Sequence, residues 1–408
     1  MKRFSELCDC ISDQCDPATS GSSVYVGLEH LSSGAFSLAL HGTPSQVQSA
    51  KSRFQKGDIL YGKLRPYLDK AVIAPGTGIC STDILVFRPK PDVCGAYLLG
   101  LIHSAEFRTH ADQTTNGVNH PRTSWTGLSE FAWDVPLKPE QEKIAAVLWR
   151  IQRAIEVEEK LIATARELKQ SAMRQLFTHG LRGEPQQETD IGPIPESWDV
   201  RPLDELREFL QYGTSAKCDY PKKGNPVIRI PNVMDGQVRC DDLKWCELSA
   251  KEVESLVLEQ GDVLFIRTNG VRERVGTCAV YRGQPERALF ASYLIRARLK
   301  TSELNPDFFQ YFTATAVGTS LLGGRASPAA DGKFNVNTKT IDSILVPLPK
   351  PDEQREIVGI LQTIDRKISV HERKRATLQE LFQTMLHQLM TAQLRVHTLD
   401  LDVSEVQA

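Results

Sequence analysis

Three stretches of this 408-residue chain carry residue types that could do chemistry. Asn305-Pro306-Asp307-Phe308 is one proline short of an Asn-Pro-Pro-aromatic loop, in which backbone and Asn amide receive an amine. No Gly-rich strand-to-helix turn for S-adenosylmethionine precedes it. The matching place in the first half reads Cys94-Gly95-Ala96-Tyr97, so a helix start is the better account. Pro351-Asp352 with Glu372-Arg373-Lys374 has the form of a metal-dependent nuclease signature. That chemistry needs carboxylates converging on a metal. On one helix, about twenty residues put them ~30 Å apart, which excludes it. The third stretch, Gly261 to Lys300, holds eight Arg/Lys (Arg267, Arg272, Arg274, Arg282, Arg287, Arg296, Arg298, Lys300) against three acids. It reads equally as a basic face for phosphates or as strands with solvated outer arginines.

Other reactive groups are dispersed. Nine cysteines form no C-x-x-C pair, and the densest group, Cys8, Cys10 and Cys15, lacks a fourth ligand at metal spacing. Reduced, buried thiols are the expectation. No phosphate-binding loop, H-E-x-x-H, nucleophile elbow or dinucleotide fingerprint is present. No catalytic residue, metal or cofactor is expected, and the chain reads as a reader or scaffold.

The elements that would position such a reader come from an internal repeat. Aligning Gln141 with Gln354 brings about forty residues into ungapped register, among them Ile144/Ile357, Leu148/Leu361, Ile155/Ile368, Thr164/Thr377, Leu168/Leu381 and Arg182/Arg395. Each copy opens with proline and acids (Pro139-Glu140; Pro351-Asp352-Glu353), which suit a first helical turn with free N–H groups. Apolar residues follow at three- and four-residue steps: Ile144, Leu148, Ile151, Ile155, Ile162, Ala165, Leu168; and Ile357, Leu361, Ile364, Ile368, Leu378, Leu381. This predicts two long helices, each roughly 60 Å, with coiled-coil seams that ask for a pseudo-symmetric partner. Glu158 and His371 interrupt the seam, and polar seam residues fix register and partner.

Upstream the repeat weakens but persists. "KGDILYGKLRPYLDKAVIA" (Lys56 to Ala74) resembles "QGDVLFIRTNGVRERVGTCAV" (Gln260 to Val280): a Gly-Asp turn, a strand, a basic loop and a second strand. A Gly/Asn-rich loop follows in each half (Thr115-Asn116-Gly117; Gly323-Gly324-Arg325). The expected fold is α+β: two α/β domains alternating with two long helices and related by a pseudo-twofold repeat. The expected boundaries are a first domain at 1–137, a helix at 138–182, a polar linker at 183–197, a second domain at 198–348, a helix at 349–396 and a frayed tail at 397–408. With 41% apolar and 25% charged residues the composition is globular, and the formal charge of −2 announces no nucleic-acid partner. The apolar runs are too short to span a membrane and the N-terminus lacks a signal-peptide core, so a cytoplasmic protein is expected.

The pattern resembles the specificity subunits of type I restriction-modification systems. The likeness is carried by "PLPKPDEQREIVGILQTIDRKI" (from Pro347), "IGPIPESWDVRPLDEL" (from Ile191), "YGTSAK" (from Tyr212), "IRIPNVMDGQV" (from Ile228) and "GDVLFIRTNG" (from Gly261). It extends over the chain to about Arg395 and is weaker over residues 1–130. The resemblance implies two target-recognition domains, each reading half of a split, asymmetric double-stranded DNA site. It implies that the two long helices form an antiparallel coiled coil, which spaces the domains and docks two methyltransferase subunits and restriction subunits, with methylation and restriction left to those partners. Groove chemistry then suggests the readers: Arg or Lys for guanine, Asn or Gln for adenine. In the first domain these are Lys63, Arg65, Tyr67, Asn116, Asn119 and Arg122. In the second they are Tyr212, Thr214, Lys217, Arg229, Asn232, Arg267, Thr268, Asn269, Arg272 and Arg274. A self-sufficient methyltransferase or nuclease, and a coiled-coil scaffold without DNA, are the alternatives.

Overall fold

A computed structural model describes residues 1–220, 222–329 and 332–404. The chain divides into two compact units, residues 1–162 with 370–408, and residues 163–369. The long helices, Lys138–His179 and Pro351–Met390, each contribute one half to each unit.

Both units are built on the same antiparallel four-strand order. In the first it is Cys8–Ile11, Ile84–Pro89, Ile59–Gly62 and Ala71–Ile73. In the second it is Arg207–Tyr212, Leu294–Leu299, Val263–Ile266 and Cys278–Val280, extended by Gln237–Val238 and Val233–Met234. The central strands correspond in register, with Ile59 opposite Phe87 and Ile73 as Val263 is opposite Ala297 and Val280. Every residue of Ile59–Gly62 and Val263–Ile266 is buried, which is why each reads as a continuous apolar run.

A buried aspartate ends each Gly-Asp turn and anchors the sheet. Asp58 accepts from Arg88 Nε and Nη2 at 2.8 and 2.9 Å, and Asp262 from Arg298 Nε and Nη2 at 2.9 and 3.0 Å. Each carboxylate also accepts the backbone N–H three residues earlier, from Gln55 and Glu259. Paired and bonded in this way, a buried charge is tolerated.

The repeated helix phrase has an equally physical cause. Gln141 and Gln354 are 2% and 0% exposed. Gln141 Oε1 accepts Cys94 N–H at 2.9 Å and its amide donates to Pro136 O. Gln354 Oε1 accepts Asn305 N–H at 2.7 Å, and its amide donates to Pro349 O and Glu303 O. The glutamine thus ties the start of the long helix to the start of a short core helix, Gly95–His103 or Pro306–Thr313. At Asn305 the side chain accepts Asp307 and Phe308 N–H groups as a helix cap, so the amide in the Asn-Pro-Asp-Phe stretch is already spent.

Those short helices plug the core against the long ones. In the first unit Gly95–His103 is buried along nearly its length. A Cβ at Gly100 would stand 2.6 Å from Met390 Cε and 3.2 Å from Leu148, so glycine there admits both long helices at once. In the second unit Phe308 and Phe312 pack with Phe177 and Trp198 beside Ile357 and Leu361.

Within each unit the long helices run antiparallel. Glu140 meets Arg395 and Glu158 meets His371 in the first, while Lys169 meets Asp365 and Leu181 N–H donates to Glu353 in the second. The seam departs from the sequence pattern at its far end, where Leu168 and Leu381 are 56% and 44% exposed. Met173, Leu176, Phe382 and Leu386 are buried in their place. An α-helix drifts about 20° per heptad from a strict 3.5 repeat, and past mid-helix the buried face turns toward the adjoining domain. Glu158 and His371, counterparts in the repeat, face each other: His371 Nδ1 lies 2.6 Å from one carboxylate oxygen and Lys374 Nζ 2.7 Å from the other.

Two further segments differ from expectation. The polar linker is a folded hairpin, Gln186–Thr189 against Gly192–Pro195, which buries Ile191 and Ile194 beside Trp198. Beyond the second long helix Val396 is buried, and Lys143 and Arg150 donate to the carbonyls of His397 and Asp402. Residues 405–408 of the expected tail lie outside the described residues.

Candidate nucleic-acid interface

The Gly-Asp strands deliver a loop to the same place in each domain, and two neighbouring segments hold it there. In the first domain Lys63 N–H donates to Asp83 O and Lys63 O accepts Thr123 N–H, while Leu64 bridges Arg122. In the second, Arg267 N–H donates to Tyr293 O, Arg267 O accepts Val336 N–H, and Thr268 pairs with Asn335. This frame makes the segment ending at Arg122 the counterpart of the one ending at Asn335. The Gly323-Gly324-Arg325 stretch is instead a separate turn.

All six candidates of the first domain converge on this frame. Arg65 adopts a left-handed conformation (φ 52°), its N–H bonded to Pro121 O, and Tyr67 is exposed beside it. Asn116 and Arg122 exchange both backbone hydrogen bonds, closing a hairpin with Asn119 exposed at its tip. The Arg122 guanidinium grips Asp83 through Nε (2.9 Å) and Nη2 (3.3 Å). That contact holds the Asp83 carboxyl below its ordinary range and raises Arg122.

In the second domain the candidates divide. Arg267 lies 4.8 Å over the ring of exposed Tyr212 and its Nη1 donates to Ser292 O. Asn269 accepts Val271 N–H, and Arg274 is exposed on the same loop. Thr214 accepts Ala216 N–H beside the Phe290 to Ser292 strand end, and Lys217 is exposed near Asp219. Four others are engaged within the fold. Thr268 is buried in its strand. Arg272 donates to Gly323 O and Gly324 O. Asn232, 1% exposed, accepts Arg229 N–H and donates to Asp241 O, and Arg229 is ion-paired to Asp242.

The basic stretch from Gly261 to Lys300 is not one continuous face. Arg296 is buried against Val257 O and Ser255 O, Arg298 binds Asp262 and Glu259, and Arg282 binds Asp307. Burial lowers the Arg296 pKa, whereas the hydrogen bond to Asp262 raises that of Arg298. On the reading loop Arg274 is exposed, Arg272 is exposed but engaged by Gly323 and Gly324, and the stacked Arg267 is half-buried. Sequence reasoning passed over Asp83, Tyr293 and Asn335. For Asp83 and Tyr293 the signal was the segment leading into the inner strands Ile84–Pro89 and Leu294–Leu299, Ser81-Thr82-Asp83-Ile84 and Ala291-Ser292-Tyr293-Leu294, which continues the repeat.

A family model described as the type I restriction modification DNA specificity domain matches residues 38–167 and 195–380. A putative MjaX specificity subunit of Methanocaldococcus jannaschii is 28% identical over 204 residues, 50% of this chain and 48% of that protein. The EcoKI specificity subunit of Escherichia coli K12 is 33% identical over 151 residues, 36% of this chain and 32% of its own. The MjaVIII specificity subunit of M. jannaschii is 24% identical over 275 residues, 65% and 63% of the two chains. The chain thus spans less than two thirds of the length of each of these relatives. Among solved structures, a type I system S subunit from M. genitalium aligns over 95% of both chains at 15% identity, with a TM-score of 0.60. A chain from a type I R-M assembly study aligns over 95% of this chain and 96% of its own at 20% identity, with a TM-score of 0.54. These two likenesses establish the fold: α/β domains alternating with a pair of long helices. Among the described residues no helix is long and apolar enough to cross a membrane.

Proposed function

The chain belongs to the type I restriction modification DNA specificity family, and on that premise we propose that it is the non-catalytic, sequence-reading subunit of a type I restriction-modification complex. Residues 1–137 and 198–348 each read one half of a split, asymmetric double-stranded DNA site. The helices set the spacing between halves and dock two methyltransferase subunits, with restriction subunits joining that assembly. Methyl transfer and cleavage belong to those partners, and the chain itself needs no cofactor. A cytoplasmic location goes with that role.

One observation carries the reading. The same hydrogen-bonded frame holds the reading loop in both domains, yet the side chains mounted on it differ: Lys63, Asp83 and Arg122 against Arg267, Tyr293 and Asn335. A scaffold conserves its surfaces between repeats, whereas a reader of two unlike half-sites must vary them. Arg and Asn at the shared position suit guanine and adenine respectively. Phosphate contacts would come from the remaining cations and backbone N–H groups.

A gel-shift titration of the assembled complex, competed by specific and unrelated duplexes across a salt series, tests this. Specific binding should survive salt that abolishes the unrelated competitor's effect. Equal competition by both duplexes would favour a scaffold without DNA recognition, and methylation by the purified chain alone would favour a self-sufficient enzyme.

A further inference from the structure

We propose that Asp83 is a positioning residue that presents Arg122 as a fixed fork for one guanine in the half-site read by the first domain. The proposal rests on the DNA-reading function above.

The geometry begins at the guanidinium. Asp83 engages the Nε and Nη2 edge of Arg122. A guanidinium carries five N–H donors, so the second edge, Nη1 with the other Nη2 hydrogen, keeps two parallel donors. That edge matches O6 and N7 of guanine. The Arg122 side chain is 44% exposed, and Asp83 is 30% exposed, so the fork is reachable while its support is half-sheltered.

Both residues are held by backbone on every side. Asp83 N–H donates to Ser81 Oγ and its carbonyl accepts Lys63 N–H. Arg122 is locked to Asn116 by two backbone bonds and bridges Leu64. An arginine normally gives up much rotamer freedom to bind; fixing it beforehand removes that cost from the encounter.

The ion pair is not there to build the fold. The second domain closes the same three-segment frame with Tyr293 and Asn335 at the two places, where no such pair can form. What varies between two copies of one scaffold, at the frame that carries each reading loop, is what distinguishes their half-sites.

The test uses the chain assembled with its methyltransferase subunits and the recognition sequence read from the host methylome. Duplexes carry 7-deazaguanine, which lacks the N7 acceptor, at each guanine of the half-site governed by residues 1–137. One position should weaken binding by the wild-type complex about tenfold or more, and that sensitivity should vanish in Arg122→Ala. Asp83→Ala should lower discrimination at that same base pair by a similar factor and leave the other positions within about twofold. Asp83→Asn, which keeps one acceptor oxygen, should fall between. A half-site without guanine, insensitivity at every guanine, or an Asp83→Ala complex weakened equally on all duplexes would overturn the assignment. The base-analogue scan on the wild type needs no variant to fold. A complex with no sequence preference would instead remove the underlying DNA-reading function, a separate result.

Discussion

Replacing Gln354 by alanine isolates the physical reason for the repeated helix phrase. The change strips three hydrogen bonds at a fully buried site, orphaning Asn305 N–H and the carbonyls of Pro349 and Glu303. A buried polar group left without a partner costs about 1–3 kcal/mol, and a water admitted to the gap recovers part of the total. A net loss of about 3 kcal/mol follows for the second unit. For a domain of this size each kcal/mol moves the melting temperature by about 2–4 °C, so scanning calorimetry should show that transition falling by about 6–12 °C. Gln141→Ala removes two bonds rather than three and should cost the first unit less, about 2 kcal/mol by the same reasoning. Gln354→Glu is the sharper control. It keeps shape and the acceptor but cannot donate while ionised, so at neutral pH it should destabilise at least as much as alanine. A Gln354→Ala loss below about 1 kcal/mol, within the range of ordinary surface substitutions, would refute the argument. So would a larger loss at Gln141 than at Gln354.

Other consequences concern the helices and the division of labour. Lys374, then His371, hold the Glu158 carboxyl below its ordinary range. A depressed folded pKa contributes stability above the unfolded value of about 4.3, and that contribution disappears as pH falls through the folded one. Melting temperature against pH should therefore drop more steeply below about pH 4 for wild type than for Glu158→Gln, and parallel curves would contradict this. Exchanging residues 1–137 for another domain of this family should alter one half of the methylated site; methylome sequencing that finds both halves altered, or neither, counts against two independent readers. Inserting four residues after Ala165 adds about 6 Å of helix, and should change the permitted spacer by about one or two base pairs with both half-sites intact. An unchanged spacer would deny the helices their ruler role.

How much of this could be read from residues alone depends on the range of the interactions involved. The repeat, the two long helices and the dismissal of both catalytic-looking fragments needed only local periodicity and spacing. Asn305 caps a helix, and Asp352 and Glu372 lie far apart on one helix, as spacing required. The folded hairpin at Gln186–Pro195 went unseen because its polar composition is that of a linker. Its two isoleucines, Ile191 and Ile194, matter only once the second unit's core is there to receive them.

The reading surface shows the same division more finely. Residue type and the Gly-Asp landmark were enough to locate both loops, since a glycine with positive φ and a buried aspartate are local requirements met at Gly57-Asp58 and Gly261-Asp262. Which side chains stay available was a tertiary matter. Asn232 and Arg272 look like readers in sequence, but partners nine and about fifty residues away consume their donors. Asp83 looks like nothing in sequence, and becomes significant because a chain segment 39 residues later brings Arg122 to it. By itself the sequence determined a doubled architecture and the loops it exposes. Only the tertiary structure decided which donors remain free, because a hydrogen bond is a property of the partner as much as of the residue, and the partners here come from distant parts of the chain.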